Sequence, residues 1–207
     1  MQDGNYFDML KAVWTDSYRT GNVYHLSPEK WLNGNLEALT AMTTDQILIA
    51  SLLADRQGFL LHSGGIKLWG KGFVFIGQSD AGKSTTVEML QQYGEILCDD
   101  RIVVRNIDGE QRIYGTWFHG TCPQVSPASA PLQALCFIEQ ADTNEAIPIT
   151  DKQEILRRLL PRIVKPLADA EWWEKTLATV DELVRTVPAY LLRRDLSGKV
   201  VDVLRSL

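Results

Sequence analysis

With 207 residues, 45% of them hydrophobic and 23% charged, the chain can bury a full core around a sheet. Its 26 acidic and 21 basic residues give a net charge of −5, spread along the chain, which excludes the basic footprint of a nucleic-acid binder. Cys98, Cys122 and Cys136 lack CxxC or Cys/His spacing, so neither a disulfide framework nor a zinc site is supported.

No basic-flanked apolar N-terminal segment is present, and no apolar run reaches the roughly 18 residues of a membrane helix. A cytoplasmic chain with no nucleic-acid and no membrane partner is expected. Residues 1–207 read as a single domain in which 1–42 form an N-terminal extension, with only Asn22–Leu26 as a strand there and His25 as a structural residue. Thr43 and Gln46 form a capping box opening a helix that carries Ile47, Leu48, Leu52 and Leu53 up to Gly58. Phe59–Leu61, Gly65–Trp69 and Phe73–Ile76 predict a strand, its hairpin return and a buried strand ending at Gly77. A helix over 84–93 follows, then strands Glu95–Cys98 and Ile102–Arg105 on either side of Asp99-Asp100. Asp108-Gly109 predicts a tight hairpin turn into Arg112–Tyr114. Leu135–Glu139 reads as a short buried strand. Thr150 with Gln153 caps a helix running to about Leu160, where Pro161 interrupts it. A helix from Ala168 to Arg185 places Trp173, Leu177, Val180 and Val184 on one face, and Val187–Arg193 returns as a strand. The pattern is an α/β one, a mixed sheet with flanking helices.

Gly77-Gln78-Ser79-Asp80-Ala81-Gly82-Lys83-Ser84 matches the Walker-type phosphate loop G-x-x-x-x-G-K-[ST] without a gap, after an apolar strand and before a helix. Such a string arises by chance at roughly one position in thirty thousand. The glycines let the backbone approach phosphates, so that successive N–H groups and the start of the helix at Ser84 and Thr85 point at the anion. Lys83 supplies a charge for the β- and γ-phosphates of ATP, and the Ser84 hydroxyl suits Mg²⁺. Asp80 is anomalous in such a loop unless its carboxylate points outward.

Asp99 and Asp100 stand 16 and 17 residues after Lys83, at the end of an apolar strand, where phosphate-loop proteins hold a carboxylate for the metal. One aspartate is read as the base for an acceptor hydroxyl and the other as a Mg²⁺ ligand. His62, 15 residues before Gly77, and His119, between an aromatic pair and Gly120, are further candidates. Arg157, Arg158 and Arg162 offer charge for a transferred phosphoryl group.

His62, the loop Gly77–Ser84, Gly94 and Asp99-Asp100, in this order and spacing, resemble the HPr serine kinase/phosphorylase family, which shares a nucleotide-binding core with phosphoenolpyruvate carboxykinase. The match is close over about residues 58–105, with the run from Gly94 to Asp99 about one residue short. The resemblance implies Lys83 on the phosphates, Ser84 and Asp100 near Mg²⁺, Asp99 as the base, and His62 beside the metal or the transferred group. It also implies a homo-oligomer, for which Trp172-Trp173 is a surface candidate. Members acting on HPr carry an N-terminal domain and a glycine-rich segment after the aspartates. This sequence instead has Gly115–Gly120 followed by Ser126–Pro131, and looks more like the short HPr-kinase-related proteins associated with peptide modification. The expected activity is ATP- and Mg²⁺-dependent phosphoryl transfer to a Ser/Thr hydroxyl of a protein or peptide. A small-molecule phosphotransferase and a non-catalytic ATP-binding regulator are the alternatives, and the direction of the reaction, transfer or phosphorolysis, is left open.

Overall fold

The computed structural model describes residues 11–14, 21–24, 44–166 and 170–207. Strands β1 (Lys11–Trp14) and β2 (Gly21–Tyr24) form an antiparallel pair, Lys11 opposite Tyr24. The expected strand at Asn22–Leu26 is thus met as far as Tyr24; His25, Leu26 and the capping residue Thr43 lie outside the described residues. Helix α1 spans Thr44–Ala54.

The body is a nine-stranded mixed sheet: β3 (Gly58–His62), β4 (Gly64–Leu68), β5 (Lys71–Ile76), β6 (Gly94–Cys98), β7 (Arg101–Ile107), β8 (Glu110–Tyr114), β9 (Ser129–Gln140), β10 (Glu145–Pro148) and β11 (Ala189–Arg194). The order is β3-β7-β8-β9-β5-β4-β6, with β11 also on β9 and β10 on β11. Helices α2 (Lys83–Leu90), α3 (Lys152–Leu159), α4 (Ala170–Thr186) and α5 (Val200–Arg205) complete the chain. The α/β class with a helix-flanked mixed sheet is therefore as read from the sequence.

The central strands carry unbroken apolar runs, Phe73–Ile76 in β5 and Ala134–Ile138 in β9, because helices cover both faces. Val74, Ile76, Leu135 and Phe137 join Trp172, Val180 and Leu183 of α4 and Leu159 of α3 in one core. Phe73, Phe75, Ala134 and Cys136 alternate to the opposite face and join Val87 and Leu90 of α2 and Val201 and Leu204 of α5. Cys98, Cys122 and Cys136 are buried and unbridged. No helix among the described residues is long and apolar enough to cross a membrane.

Several elements differ from expectation. β3 and β4 are not a hairpin: β3 pairs with β7, whereas β4 pairs with β5 and β6. Buried Ser63 marks the change of neighbour, its N–H donating to the Asp100 carbonyl at 3.0 Å. Gly65 allows β4 to press on β7, since a Cβ there would stand 2.4 Å from Ile102. The strand expected at Leu135–Glu139 is the twelve-residue β9. Pro131 sits where the strand leaves its antiparallel partner β8 and takes up parallel β5 from Leu132 onward. The turn Asp108-Gly109 is as expected, with φ of 52° and 89° joining Ile107 to Glu110 in a two-residue hairpin. The second helix cap is Asp151 rather than Thr150; its carboxylate accepts from Gln153 N–H at 2.9 Å.

α4 is rotated from the expected face. Trp172, Thr176, Thr179, Val180 and Leu183 are buried, while Leu177 is 42% exposed. The indole decides the rotation: Trp172 Nε1 donates to the Ala50 carbonyl at 3.0 Å, tying α4 to α1. Trp173 stacks edge-on against Trp172 and lies half-buried under the Lys165 ammonium. The pair is accordingly not the aromatic surface expected for self-association.

Candidate active site

Four strands deliver their ends to one edge of the sheet. β4 is antiparallel to both β5 and β6, which therefore run the same way, and β9 and β11 are parallel to β5. The carboxyl ends Ile76, Cys98, Gln140 and Arg194 thus share the edge where α/β sheets open their ligand crevice.

The segment Gly77–Ser84 leaves β5 at this edge and runs into α2. Ala81 N–H donates to the Gln78 carbonyl at 3.2 Å, and Asp80 and Gly82 take left-handed conformations with φ of 63° and 93°. Asp80 is exposed, and aspartate tolerates this conformation better than most residues, so its presence serves the turn. Its carbonyl accepts from Gln140 Nε2 at 3.3 Å. Gly82 is favoured by its left-handed φ, and a Cβ there would lie 1.8 Å from Arg194 Nη2, so the guanidinium would have to shift. α2 has no side-chain cap, and its first intrahelical bond is Thr86 N–H to the Gly82 carbonyl. The N–H groups of Lys83, Ser84 and Thr85 are left without intrahelical partners, an arrangement that fits an anion.

Lys83 is 9% exposed, and its Nζ donates to the Gln78 carbonyl at 3.0 Å and more weakly to Gly77 at 3.4 Å. Burial and the nearby Arg162 push its pKa down, against Asp100, Asp80 and Asp99. Ser84 is half-buried, and no hydrogen bond of its hydroxyl is found among the described residues.

His62 at the end of β3 faces Asp100, with Nε2 3.6 Å from Oδ1. The other carboxylate oxygen of Asp100 pairs with Arg101, whose Nε donates to Gln46 of α1 at 3.0 Å. Burial is the main cause of a lowered His62 pKa, followed by Lys83; Asp100 opposes it, and Arg101 and Arg162 add to it. Arg162 arrives by backbone pairing: Leu61 bridges Ile163 antiparallel and Val164 N–H donates to the Leu60 carbonyl at 2.8 Å, which sets Arg162 opposite His62. Lys83, Arg101 and His62 thus gather about one carboxylate, with Arg162 beside His62 and Lys83, a grouping of charge suited to a polyphosphate.

Asp99, the expected base, is differently placed from Asp100. It is 2% exposed, with Oδ1 accepting from Gly120 N–H at 2.6 Å and Oδ2 from Cys122 N–H at 3.0 Å. It fastens the loop Gly115–Ala128 to the end of β6, and Ser126 N–H donates to the Leu97 carbonyl to complete the seam. Asp99→Asn would point an amide N–H₂ at one of these two backbone donors. It is expected to lower stability by about 1–3 kcal/mol, the cost of an unsatisfied buried polar group. Urea unfolding measures this, and an unchanged midpoint would show that the clamp contributes nothing.

The remaining candidates separate. His119 stands in the clamped loop, its Nδ1 3.1 Å from the Gly120 carbonyl, beside buried Phe118 and half-buried Trp117. Arg157 lies on the outer face with Asp151 at 3.7 Å, and Arg158 pairs with Glu154 and covers the Phe137 ring. Of the three arginines, Arg162 reaches the site. Sequence reasoning missed Arg101, the Gly120 and Cys122 amides, and Arg194 beneath the loop. Arg101 was legible as the neighbour of the aspartate pair; the amides carry no side-chain signal.

The family model for the SynChlorMet cassette protein ScmC matches residues 32–206. The chain belongs to the ScmC family. No functionally curated protein matches it. Among solved structures, an HPr(Ser) kinase/phosphatase from Coxiella burnetii is similar with a TM-score of 0.41 and 7% identity, over 71% of this chain and 94% of that one. The family model that matches is thus that of ScmC, and the likeness to an HPr kinase is a distant one between folds.

Proposed function

We propose that this ScmC-family chain binds ATP with Mg²⁺ and transfers the γ-phosphoryl group to a Ser/Thr hydroxyl of a protein or peptide. The observation that carries the proposal is the phosphate loop facing Asp100, His62 and Arg162 across one sheet edge. The loop amides and Lys83 hold the β- and γ-phosphates, and Arg162 offsets charge on the group in transfer. Among the described residues no group of three or more His, Cys, Asp or Glu is arranged to hold a metal ion by itself. This donor set suits Mg²⁺, which keeps waters and takes one or two protein oxygens beside phosphate oxygens, here from Ser84 and Asp100. Bound there, the ion would supply charge neutralisation to the phosphates.

Asp100 is the carboxylate with access to the open side, at 24% exposure against 2% for Asp99. The role of base expected for Asp99 requires the Gly120 and Cys122 amides to move from it when the acceptor enters. The clamped loop with Trp117, Phe118 and His119 is then the platform for the acceptor, which the chain takes up in the cytoplasm. Incubation with γ-labelled ATP, Mg²⁺ and the host's peptide and protein fractions tests the proposal. Label on a serine or threonine is the expected result; label released only as inorganic phosphate would refute it.

A further inference from the structure

β11 ends at Arg194, beside Gln140 of β9, at the edge where β5 gives way to the phosphate loop. The Arg194 side chain is 2% exposed. Its Nη2 donates to the Gly82 carbonyl at 3.2 Å, its Nη1 reaches the Asp195 carbonyl only at 3.5 Å, and its buried Nε has no partner. Among the described residues no carboxylate forms an ion pair with it. Asp195, the adjacent acid, directs its carboxylate to the N–H and hydroxyl of Ser197 at 2.8 and 2.6 Å. Burial pushes the guanidinium pKa down, with Asp195 opposing, yet arginine stays protonated in proteins.

An enclosed cation without a carboxylate is costly to keep, and holding one carbonyl does not call for it. The same loop is held at Asp80 by the neutral Gln140 amide. What a guanidinium adds to a neutral donor is its charge, and the shorter of its two hydrogen bonds, at 3.2 Å against 3.5 Å to the Asp195 carbonyl, is to the loop at Gly82.

We propose that Arg194 is a positioning residue for polyphosphate, a built-in cation behind Gly82 whose charge is balanced when anionic phosphates occupy the loop Gly77–Ser84. The proposal rests on the phosphate-loop reading above. It makes the empty loop electrostatically unsatisfied and the filled one favourable, so that stability of the free protein is exchanged for affinity.

Three variants separate charge from tether. Arg194→Met removes both, Arg194→Gln keeps a donor for the Gly82 carbonyl, and Arg194→Lys keeps the charge. Thermal midpoints of the free proteins and calorimetric affinities for MgATP and inorganic pyrophosphate are compared with wild type. The expected result is a tenfold to hundredfold loss of affinity for both ligands in the Met and Gln variants, and a smaller loss in the Lys variant. The free Gln variant should melt no lower than wild type. Wild-type affinity in the Met variant, or recovery of affinity by Gln, would overturn the proposal, the second by showing that the tether alone matters. If wild type binds neither ligand, the phosphate-loop reading fails and takes this proposal with it; binding by wild type and by all variants alike defeats the proposal alone.

Discussion

Lys83→Ala is expected to weaken MgATP binding by at least about a hundredfold. In the free protein the ammonium is enclosed by the loop it serves, donating to the Gln78 and Gly77 carbonyls. Those partners are weak acceptors beside a phosphate, and burial with Arg162 nearby raises the cost of keeping the charge there. Phosphate oxygens would relieve that cost. A hydrogen bond to a charged group contributes about 1.5–3 kcal/mol, and about 2.8 kcal/mol is a factor of a hundred. The variant keeps the amides of residues 83–85 and the left-handed Gly82, so its fold should persist. Calorimetric titration reads the effect, and an affinity within threefold of wild type would remove the lysine from the site.

Asp100→Asn is expected to act on the metal rather than on the loop. Asp100 lies between His62 at 3.6 Å and Arg101, and is partly open to solvent, so its substitution leaves no enclosed donor unpaired. The Mg²⁺ concentration giving half-maximal transfer should rise by about ten- to a hundredfold, the usual effect of disturbing a metal site, while urea stability changes little. Asp99→Asn should show the opposite emphasis, with stability falling first. If Asp99 also takes the acceptor proton, transfer by that variant falls by about two to four orders of magnitude at saturating MgATP. A wild-type Mg²⁺ dependence in Asp100→Asn would exclude that carboxylate from the metal.

The parts legible in the sequence are those where local chemistry decides the conformation. The strand–turn–helix run through Gly77–Ser84 was readable because its glycines, lysine and serine match one motif over eight positions, and Asp108-Gly109 because a two-residue hairpin demands positive φ twice. Tertiary pairing governed the rest. Nothing local in Phe59–Leu61 shows that its partner is β7 across the Asp99-Asp100 turn rather than the adjacent β4. The extent of β9 beyond Leu135–Glu139 rests on a change of neighbour at Pro131, from β8 to β5, that only the assembled sheet supplies. On α4 a stripe through Trp173 and Leu177 was as regular as the true one, and the hydrogen bond from Trp172 to Ala50 settled which face turns inward.

The site followed the same division. The residue types of His62, Lys83, Ser84 and the aspartate pair pointed to phosphate and metal chemistry, and the fold gathers His62, Lys83 and Asp100 near one another. The two aspartates could not be told apart by spacing, because neighbouring positions at a strand end face different surroundings: backbone amides for Asp99, cations for Asp100. Sequence named Arg162 only as one of three arginines and did not name Arg194, because the first is placed by a single antiparallel bridge to β3 and the second by the parallel register of β11 on β9.

The most direct test of MgATP binding in the phosphate loop is phosphorus NMR of ATP titrated with the wild-type protein, with and without Mg²⁺. The β- and γ-phosphate resonances should shift and broaden on addition of the protein, more strongly with Mg²⁺ than without it. Resonances unchanged at protein concentrations of about a millimolar in both conditions would contradict the account.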